Sequence, residues 1–351
     1  MKNILVFSVI LLSLAACKGR INSKAEPKSA HQVTQVAEFK GQQVTGIAIA
    51  NSGRMFVNFP RWREGVENAV VKVDGNKNKS YPNLEWNSWE IGQPVVADKF
   101  IAVQSVLAHD DKLYVLDTRN PQFKTVLDAP RVFVFDLKSN TLTATYILEK
   151  NSFHSDSYIN DLRVDGDKIY FTDSGHAGLV VYNIATGTSK RILNDHFSTS
   201  AEVPFLTFAG TQWKRSVHSD GIELDVKNQR LLYHALTGYS LYSIPTAAFD
   251  LDNKTEIEKT VRLESKTAAP DGMIFDDKGF LYYADLENNK IDYLKPDGTI
   301  HTLIQGVDVR WADSFSIYKD DLYYTNSRIN EVTGPIDEMV FTVNKIKLPL
   351  N

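Results

Sequence analysis

The sequence predicts an all-β fold, and three of its features support that prediction. The chain has 351 residues, of which 43% are hydrophobic, so it can bury a sizeable core. Its 15 Tyr and 18 Phe occur with Val, Ile and Thr in short runs that are typical of strands. These runs and tight polar turns recur together along the chain, as they do in repeat architectures.

The first 17 residues are typical of a targeting segment. Lys2 supplies a positive charge, Ile4 to Leu14 form an apolar run too short to cross a bilayer, and small residues lead to Cys17. This arrangement resembles a bacterial lipoprotein signal, which implies cleavage before Cys17 and lipidation of that residue. Lys18 then favours the outer membrane, so we expect an envelope lipoprotein that contacts the membrane through Cys17 only. The alternative is an ordinary secretory peptide.

The next segment, residues 18 to 35, is polar, contains Pro27 and shows no apolar periodicity, so we interpret it as a flexible tether. Cys17 is the only cysteine, and no intrachain disulfide is therefore possible. The formal net charge of -4 gives no electrostatic support for a nucleic-acid partner. We expect a monomer whose stability comes from its core.

After the tether, six segments share the order strand, tight turn, strand. They begin at Val44, Ser105, Ile159, Ser219, Pro270 and Trp311. Their turns carry the Gly, Asp and Asn residues that hairpins favour, and lie at residues 51–53, 109–111, 165–167, 225–229, 276–279 and 319–321. Each second strand has an aromatic anchor, and the anchors lie 41 to 63 residues apart, at Phe56, Tyr114, Tyr170, Tyr233, Tyr282 and Tyr323. This number and spacing predict a six-bladed β-propeller over residues 36 to 351.

Both ends of the propeller have strand-like composition. The stretch VTQVAEF covers Val33 to Phe39, and MVFTVNKIKL begins at Met339. Since an open ring would leave its first and last blades joined by side-chain packing alone, we predict that the N-terminal strand pairs into the C-terminal blade.

The repeat also places polar residues at equivalent positions of several blades. The first strand of a propeller blade lines the central channel, so residues at the start of that strand converge on one mouth. We predict a ligand-binding channel lined by Asp117, Asn160, Asp161, Asp173, Asp220, Asp271, Asp313 and Asn326. The alternative is that each of these side chains satisfies the backbone of its own turn.

The chain resembles the major royal jelly protein and Yellow family, in its bacterial branch. The resemblance lies in the ordered stretches YPNLEWNSW, FIAVQSVLAHDDKLYVLDT, SYINDLRVDGDKIYFTDSGHAGLVVYNIATGTSKRIL, SDGIELDVKNQRLLYHALTGYSLYSIPT, PDGMIFDDKGFLYYADLENNKI and VRWADSFSIYKDDLYYTNSRIN. It implies a six-bladed propeller whose channel can bind small molecules, including aromatic amines in some relatives, and dopachrome conversion in some insect members. The secreted insect members carry disulfides that this chain lacks.

A more distant likeness concerns metal chemistry. Asn160, Asp220 and Asp271 are similar to positions at which gluconolactonase-type propellers hold a divalent metal, and this likeness implies a Ca²⁺ or Mg²⁺ site. Asp220 stands where those enzymes have Asn, and the first blade lacks their glutamate. Asp220 or Asp271 would then be the candidate catalytic general base.

Two long loops interrupt the blade pattern and carry Trp62, Trp86, Trp89, Phe205 and Trp213. These rings can stack on an aromatic ligand or pack against blade faces. Three histidines near the predicted mouth can shuttle protons or hold loops in place: His154, His176 and His218.

Two functions from different classes remain open. One is an envelope-anchored propeller that binds a small, possibly aromatic molecule in its channel. The other is a metal-dependent lactonase-like hydrolase or a dopachrome-type isomerase. A scaffold that binds another envelope protein is a third option. Zinc-peptidase, Walker and serine-hydrolase motifs are absent from the sequence.

Overall fold

The computed structural model describes residues 32–75 and 77–349. These residues form six four-stranded antiparallel sheets and one two-stranded hairpin, which confirms the six-bladed β-propeller. The signal segment, Cys17 and most of the tether lie outside the described residues. Strand β1 (Thr34–Lys40) begins inside the segment that the sequence analysis assigns to the tether. Within the described ranges, no helix is long and apolar enough to cross a membrane.

The first three blades are consecutive four-stranded meanders. Blade one contains β2 (Ile47–Ile49), β3 (Met55–Asn58), β4 (Val70–Asp74) and β5 (Lys77–Ser80). A short helix, α1 (Leu84–Asn87), precedes blade two, which contains β6 (Val103–His109), β7 (Lys112–Asp117), β8 (Arg131–Asp136) and β9 (Thr141–Ile147). Blade three contains β10 (Ile159–Asp165), β11 (Lys168–Asp173), β12 (Gly178–Asn183) and β13 (Thr188–Ile192).

The last three blades follow after a hairpin formed by β14 (Leu206–Phe208) and β15 (Thr211–Trp213). Blade four contains β16 (Ser219–Asp225), β17 (Arg230–Ala235), β18 (Ser240–Pro245), the helix α2 (Lys254–Lys259) and β19 (Arg262–Lys266). Blade five contains β20 (Met273–Phe275), β21 (Leu281–Asp285), β22 (Lys290–Leu294) and β23 (Ile300–Gln305). Blade six contains β24 (Ala312–Tyr318), β25 (Asp321–Asn326) and β26 (Val340–Lys347).

Strand β1 closes the ring. It pairs antiparallel with β26, so blade six takes its fourth strand from the N-terminal end of the domain, and the predicted pairing is confirmed. Phe39 and Phe341 lie opposite each other in this pair, and both are buried. The closure therefore combines backbone hydrogen bonds with burial of apolar side chains.

The core lies between the blades. Each of the six predicted aromatic anchors is in the second strand of its blade and is buried. The buried apolar side chains of the described residues form six clusters, one for each pair of adjacent blades. Because each sheet is covered on both faces, its second strand carries a nearly continuous apolar run. This packing fixes the first strands around the channel.

Candidate functional site

Backbone irregularities direct polar side chains into the channel. The first strands of neighbouring blades contact one another around the ring. In four of the blades the pairing of the first and second strands shifts register near the start of the first strand. A bulge of this kind re-aims side chains and is common beside functional sites. The residues within these shifts include Gln104, Asn160, Asp161, Asp220 and Asp313.

Close packing between neighbouring blades explains why a glycine follows each of two channel aspartates, Asp220 and Asp271. A Cβ atom on Gly221 would lie 2.6 Å from the carbonyl oxygen of Asp271, and one on Gly272 would lie 2.7 Å from that of Asp313. Neighbouring blades approach too closely here for any other residue. The Asp-Gly pair thus supplies one polar side chain and one point of close backbone contact.

Above these residues the channel widens into a cavity of about 620 Å³. Aromatic side chains form much of its wall: Trp62, Phe123, Tyr158, Trp213 and Trp311. Below them the channel narrows to about 20 Å³, and five residues line both parts: Gln104, Asn160, Asp220, Asp271 and Asp313. These residues therefore form the floor of the wide cavity, with its aromatic wall above them. A volume of this size suits a small organic molecule.

A chain of hydrogen bonds runs down one wall to the floor. Trp62 Nε1 donates to Tyr158 Oη at 2.6 Å, and Tyr158 Oη donates to Gln104 Oε1 at 2.7 Å. Gln104 Nε2 donates to Asn160 Oδ1 at 3.4 Å. Asn160 Nδ2 then donates to Asp220 Oδ2 at 2.7 Å. The four hydrogen bonds run in sequence towards Asp220, which accepts the last of them.

The floor holds three carboxyl groups without a cationic partner among the described residues. Asp220 and Asp271 are 4% and 7% exposed, and their carboxyl groups lie close enough to influence each other's ionisation. Trp311 Nε1 donates to Asp271 Oδ2 at 2.6 Å. Burial first, and then the charge of Asp313, raise the pKa of both groups well above the usual range. Burial likewise raises the pKa of Asp313 to about 7. Burial and the neighbouring charges thus disfavour ionisation of both carboxyls of the pair at once.

An arginine closes the narrow part of the channel. Arg163 donates to Glu223 Oε2 at 2.8 Å, to Asp161 Oδ2 at 2.9 Å and to the carbonyl oxygen of Met273 at 3.0 Å. These two carboxylates raise the pKa of Arg163 despite its burial, so it stays charged. Asp161 is neutralised by this pair, unlike the three floor aspartates. The narrow part is thereby filled by a buried ion cluster.

The three predicted site residues at the ends of second strands do not line the cavity. Asp117 accepts from the backbone N–H groups of Ile101 and Ala102, and Asp173 accepts from that of Tyr158. Asn326 accepts from the backbone N–H of Arg310. Each therefore ties the segment before the first strand to the second strand of its own blade. Ligand binding by these residues stays a prediction.

The metal prediction has to be weighed against the donors present. In residues 32–75 and 77–349 no group of three or more His, Cys, Asp or Glu side chains is arranged to hold a metal ion. The Asn160 amide and the Trp311 indole donate to the two carboxyls that the prediction makes ligands. The floor is thus arranged as acceptors for N–H donors. A Ca²⁺ or Mg²⁺ site at Asn160, Asp220 and Asp271 stays a prediction, and no step below depends on it.

Of the loop aromatics, Trp62 and Trp213 line the cavity. Trp86 packs on Phe100, Phe133 and Phe135, and Trp89 is buried with its Nε1 donating to the carbonyl oxygen of Pro94. Phe205 is not among the lining residues.

The three histidines also lie outside the lining. His154 and His176 stack at 3.7 Å between ring centroids, and His176 lies beside Asp156. His218 accepts from the backbone N–H of Ala201, and burial lowers its pKa. Their contacts hold the loops beside the cavity.

Sequence reasoning missed several lining residues. Gln104 occupies the blade-two position that corresponds to Asn160, but it lies one residue before Ser105, where the repeated segment of that blade begins. Trp311 marks the start of the sixth segment in the sequence, and an indole one residue before a first strand is a polar donor at the channel mouth. Arg63 and Arg215 lie in irregular loops and carried no pattern at all.

The comparison with protein families agrees with this architecture. The model of the family "Major royal jelly protein" matches residues 102–310, which is more than half of the chain. The chain belongs to the major royal jelly protein family. The family resemblance noted in the sequence is thereby confirmed.

Relatives within the major royal jelly protein family are distant. The chain is 28% identical to dopaminechrome tautomerase of Drosophila melanogaster over 224 residues, which are 57% of this chain and 47% of that protein. It is 23% identical to major royal jelly protein 2 of Apis mellifera over 282 residues, which are 70% of this chain and 61% of that protein. The aligned regions thus span about half the length of these relatives.

Solved structures share the fold at low identity. A gluconolactonase from Xanthomonas campestris is 12% identical with a TM-score of 0.55, and the match covers 92% of this chain and 91% of that protein. A luciferin-regenerating enzyme is also 12% identical with a TM-score of 0.55, covering 91% and 95%. Similarity at this level establishes the propeller fold alone.

Proposed function

We propose that this propeller binds a small aromatic molecule with an ammonium or other N–H-rich cationic group in its central cavity. The observation that carries the proposal is the floor of three carboxyl groups, Asp220, Asp271 and Asp313, for which the described residues supply no cation. Buried carboxyls of this kind are costly to the fold, and a bound cation offsets that cost. The aromatic wall above the floor suits a flat ring.

The aromatic wall consists of two groups of rings that contact each other within each group. Phe123 lies 4.5 Å from Tyr158 and 5.4 Å from Trp62 between ring centroids, and Trp213 lies 5.0 Å from Trp311. All five rings belong to the cavity lining. A ligand ring between them would gain dispersion and stacking contacts at little entropic cost to the protein.

Calorimetric titration with aromatic amines such as tyramine, dopamine and tryptamine tests the proposal. Wild-type protein should bind at least one of them, and Asp271→Asn should weaken that binding about tenfold or more, as for the loss of a charged contact. Trp62→Ala should also weaken it. Phe197→Ala is the matched aromatic control, because Phe197 is 66% exposed and lies outside the cavity lining. Absence of binding by the whole amine series would contradict the proposal.

A second candidate is an isomerase, and a specific observation favours it. Asp220 and Asp271 are neighbouring carboxyls whose pKa values are both raised by burial and by nearby charge, so one could serve as a proton donor and the other as an acceptor. A tautomerisation needs only these two roles. The similarity to dopaminechrome tautomerase of Drosophila melanogaster makes dopaminechrome the substrate to try. Its visible absorbance should then decay faster with wild-type protein than with Asp220→Asn or Asp271→Asn, whereas equal rates would contradict the candidate.

We also propose that the protein is held at the cell envelope through Cys17, with the cavity facing an extracytoplasmic space. The basis is the signal-like sequence of residues 1–17. The hydrolase alternative depends on the predicted metal site, because the similarity to gluconolactonase concerns the fold. A divalent-ion titration, described in the Discussion, tests that alternative separately.

A further inference from the structure

The cavity has a second charged end, opposite the acidic floor. Its lining includes two cationic side chains, Arg63 and Arg215, both in loops. Neither lines the narrow part of the channel, where the floor residues continue. Both arginines belong to the wide part of the cavity and to loops outside the blade strands, and we call them the arginine rim.

We infer that the ligand carries a carboxylate or comparable anionic group in addition to its cation, so that an aromatic amino acid fits better than the amine that lacks its carboxylate. This inference rests on the proposed function, because it assumes that the cationic end of the ligand lies on the floor. It goes further by assigning specificity to two residues.

Arg63 is held in place but has no anionic partner in the part of the chain that the structure describes. Its Nη1 donates to Gln43 Oε1 at 2.7 Å, and Gln43 Nε2 in turn donates to the carbonyl oxygen of Ser327 at 2.7 Å. Gln43 is buried, so the bridge to blade six is rigid. Burial lowers the pKa of Arg63, and no nearby charge offsets that effect. A half-buried guanidinium fixed in this way has donors left for an anion.

Arg215 is the second residue of the rim. Its guanidinium lies 5.7 Å from the centroid of the Trp213 ring, and among the residues described it forms no ion pair. Trp213 packs on Trp311, whose indole reaches Asp271 on the floor. One wall thus links Arg215 above to Asp271 below through two aromatic rings. A ligand with an aromatic body and charges of opposite sign can contact both ends.

The distribution of charge in the cavity lining argues against a preference for the amine over the amino acid. The three acids of the cavity lining are all on the floor, and its two arginines are both on the rim. A simple amine satisfies the floor and leaves the arginines in water. An amino acid satisfies both ends, because a guanidinium binds a carboxylate through two parallel hydrogen bonds.

A matched ligand series tests the inference. Tryptamine, L-tryptophan and L-tryptophan methyl ester share one ring and differ in the carboxylate, as do dopamine and L-DOPA. Calorimetry on the full folded domain should show that each amino acid binds about tenfold more tightly than its amine, with the ester close to the amine. Arg63→Gln and Arg215→Gln should each weaken binding of the amino acid far more than binding of the amine, and so remove most of this difference.

Lys214→Gln is the charge control, because Lys214 is exposed beside Arg215 but is not among the lining residues. Arg215 is exposed, so its variant remains informative if Arg63→Gln unfolds. Amines that bind as tightly as the amino acids, or arginine variants that weaken both classes equally, overturn the inference while the proposed function stands. If no amine and no amino acid binds, the proposed function itself fails.

Discussion

Replacing Asp313 by asparagine should stabilise the protein at pH 8 and leave its stability nearly unchanged at pH 4. Burial raises the pKa of Asp313 from 3.8 to about 7 in the folded state. The unfolded chain ionises first, so the folded state loses stability as the pH rises from about 4 to about 7. Full ionisation of a group shifted this far corresponds to about 4 kcal/mol.

Two features of the site adjust that figure. Asp313 is only partly buried and faces the cavity, so water reduces the cost, and we expect a gain of about 1 to 3 kcal/mol for Asp313→Asn at pH 8. The Asp313 charge also raises the pKa of Asp220 and Asp271. Removing it should therefore lower both pKa values and add to the gain.

Urea unfolding of wild type and Asp313→Asn at pH 4, 6 and 8 measures the effect. Asp98→Asn is the matched control for the loss of one carboxylate, because Asp98 is exposed and lies outside the cavity lining. The stability difference between wild type and Asp313→Asn should grow with pH, following the fraction of ionised carboxyl. A difference that is the same at all three pH values would refute the reasoning.

Four further predictions concern other parts of the molecule. Deleting residues 1–39 should lower the melting temperature clearly relative to deleting residues 1–30, because only the first removes β1; equal values would contradict ring closure by that strand. Asp117→Asn should lower the free energy of unfolding by about 1 to 3 kcal/mol in a urea titration, because the new amide N–H group would face the backbone N–H donors that Asp117 now accepts from. If the predicted metal site exists, Ca²⁺ or Mg²⁺ should raise the wild-type melting temperature and not that of Asp271→Asn, and a curve indifferent to divalent ions excludes it. Cys17→Ser should abolish palmitate labelling, and unlabelled wild type would exclude the anchor.

Much of the fold follows from the sequence for a physical reason. A propeller blade cannot bury its faces alone, so each repeat needs the same apolar inner strands and the same aromatic anchor. Phe56 and Tyr282 could therefore be placed without coordinates. The turns could also be predicted from the sequence, because positions such as Gly53 and Gly166 have positive φ and favour glycine.

The site could be predicted only where it follows the repeat. Asp220 and Asp271 could be predicted because they lie at or just before the start of the first strands of successive blades. Asp173 repeats as regularly, and the sequence does not show that its oxygens face the backbone N–H of Tyr158. Arg63 and Arg215 depend on the path of irregular loops, which no periodicity encodes.

The hydrogen-bond partners of the floor aspartates distinguish a functional role from a structural one. A turn residue uses its oxygens on nearby backbone, as Asp173 does. Asp220 and Asp271 instead accept from Asn160 and Trp311, which belong to other blades, so their own turns do not require them. Blade two forms a complete sheet with Gln104 at the equivalent position, so the fold does not require an acid there either. These buried carboxyls repel one another and therefore lower the stability of the fold, although neither the turns nor the blades need them. Binding of a ligand explains why they are present, whereas the propeller fold does not.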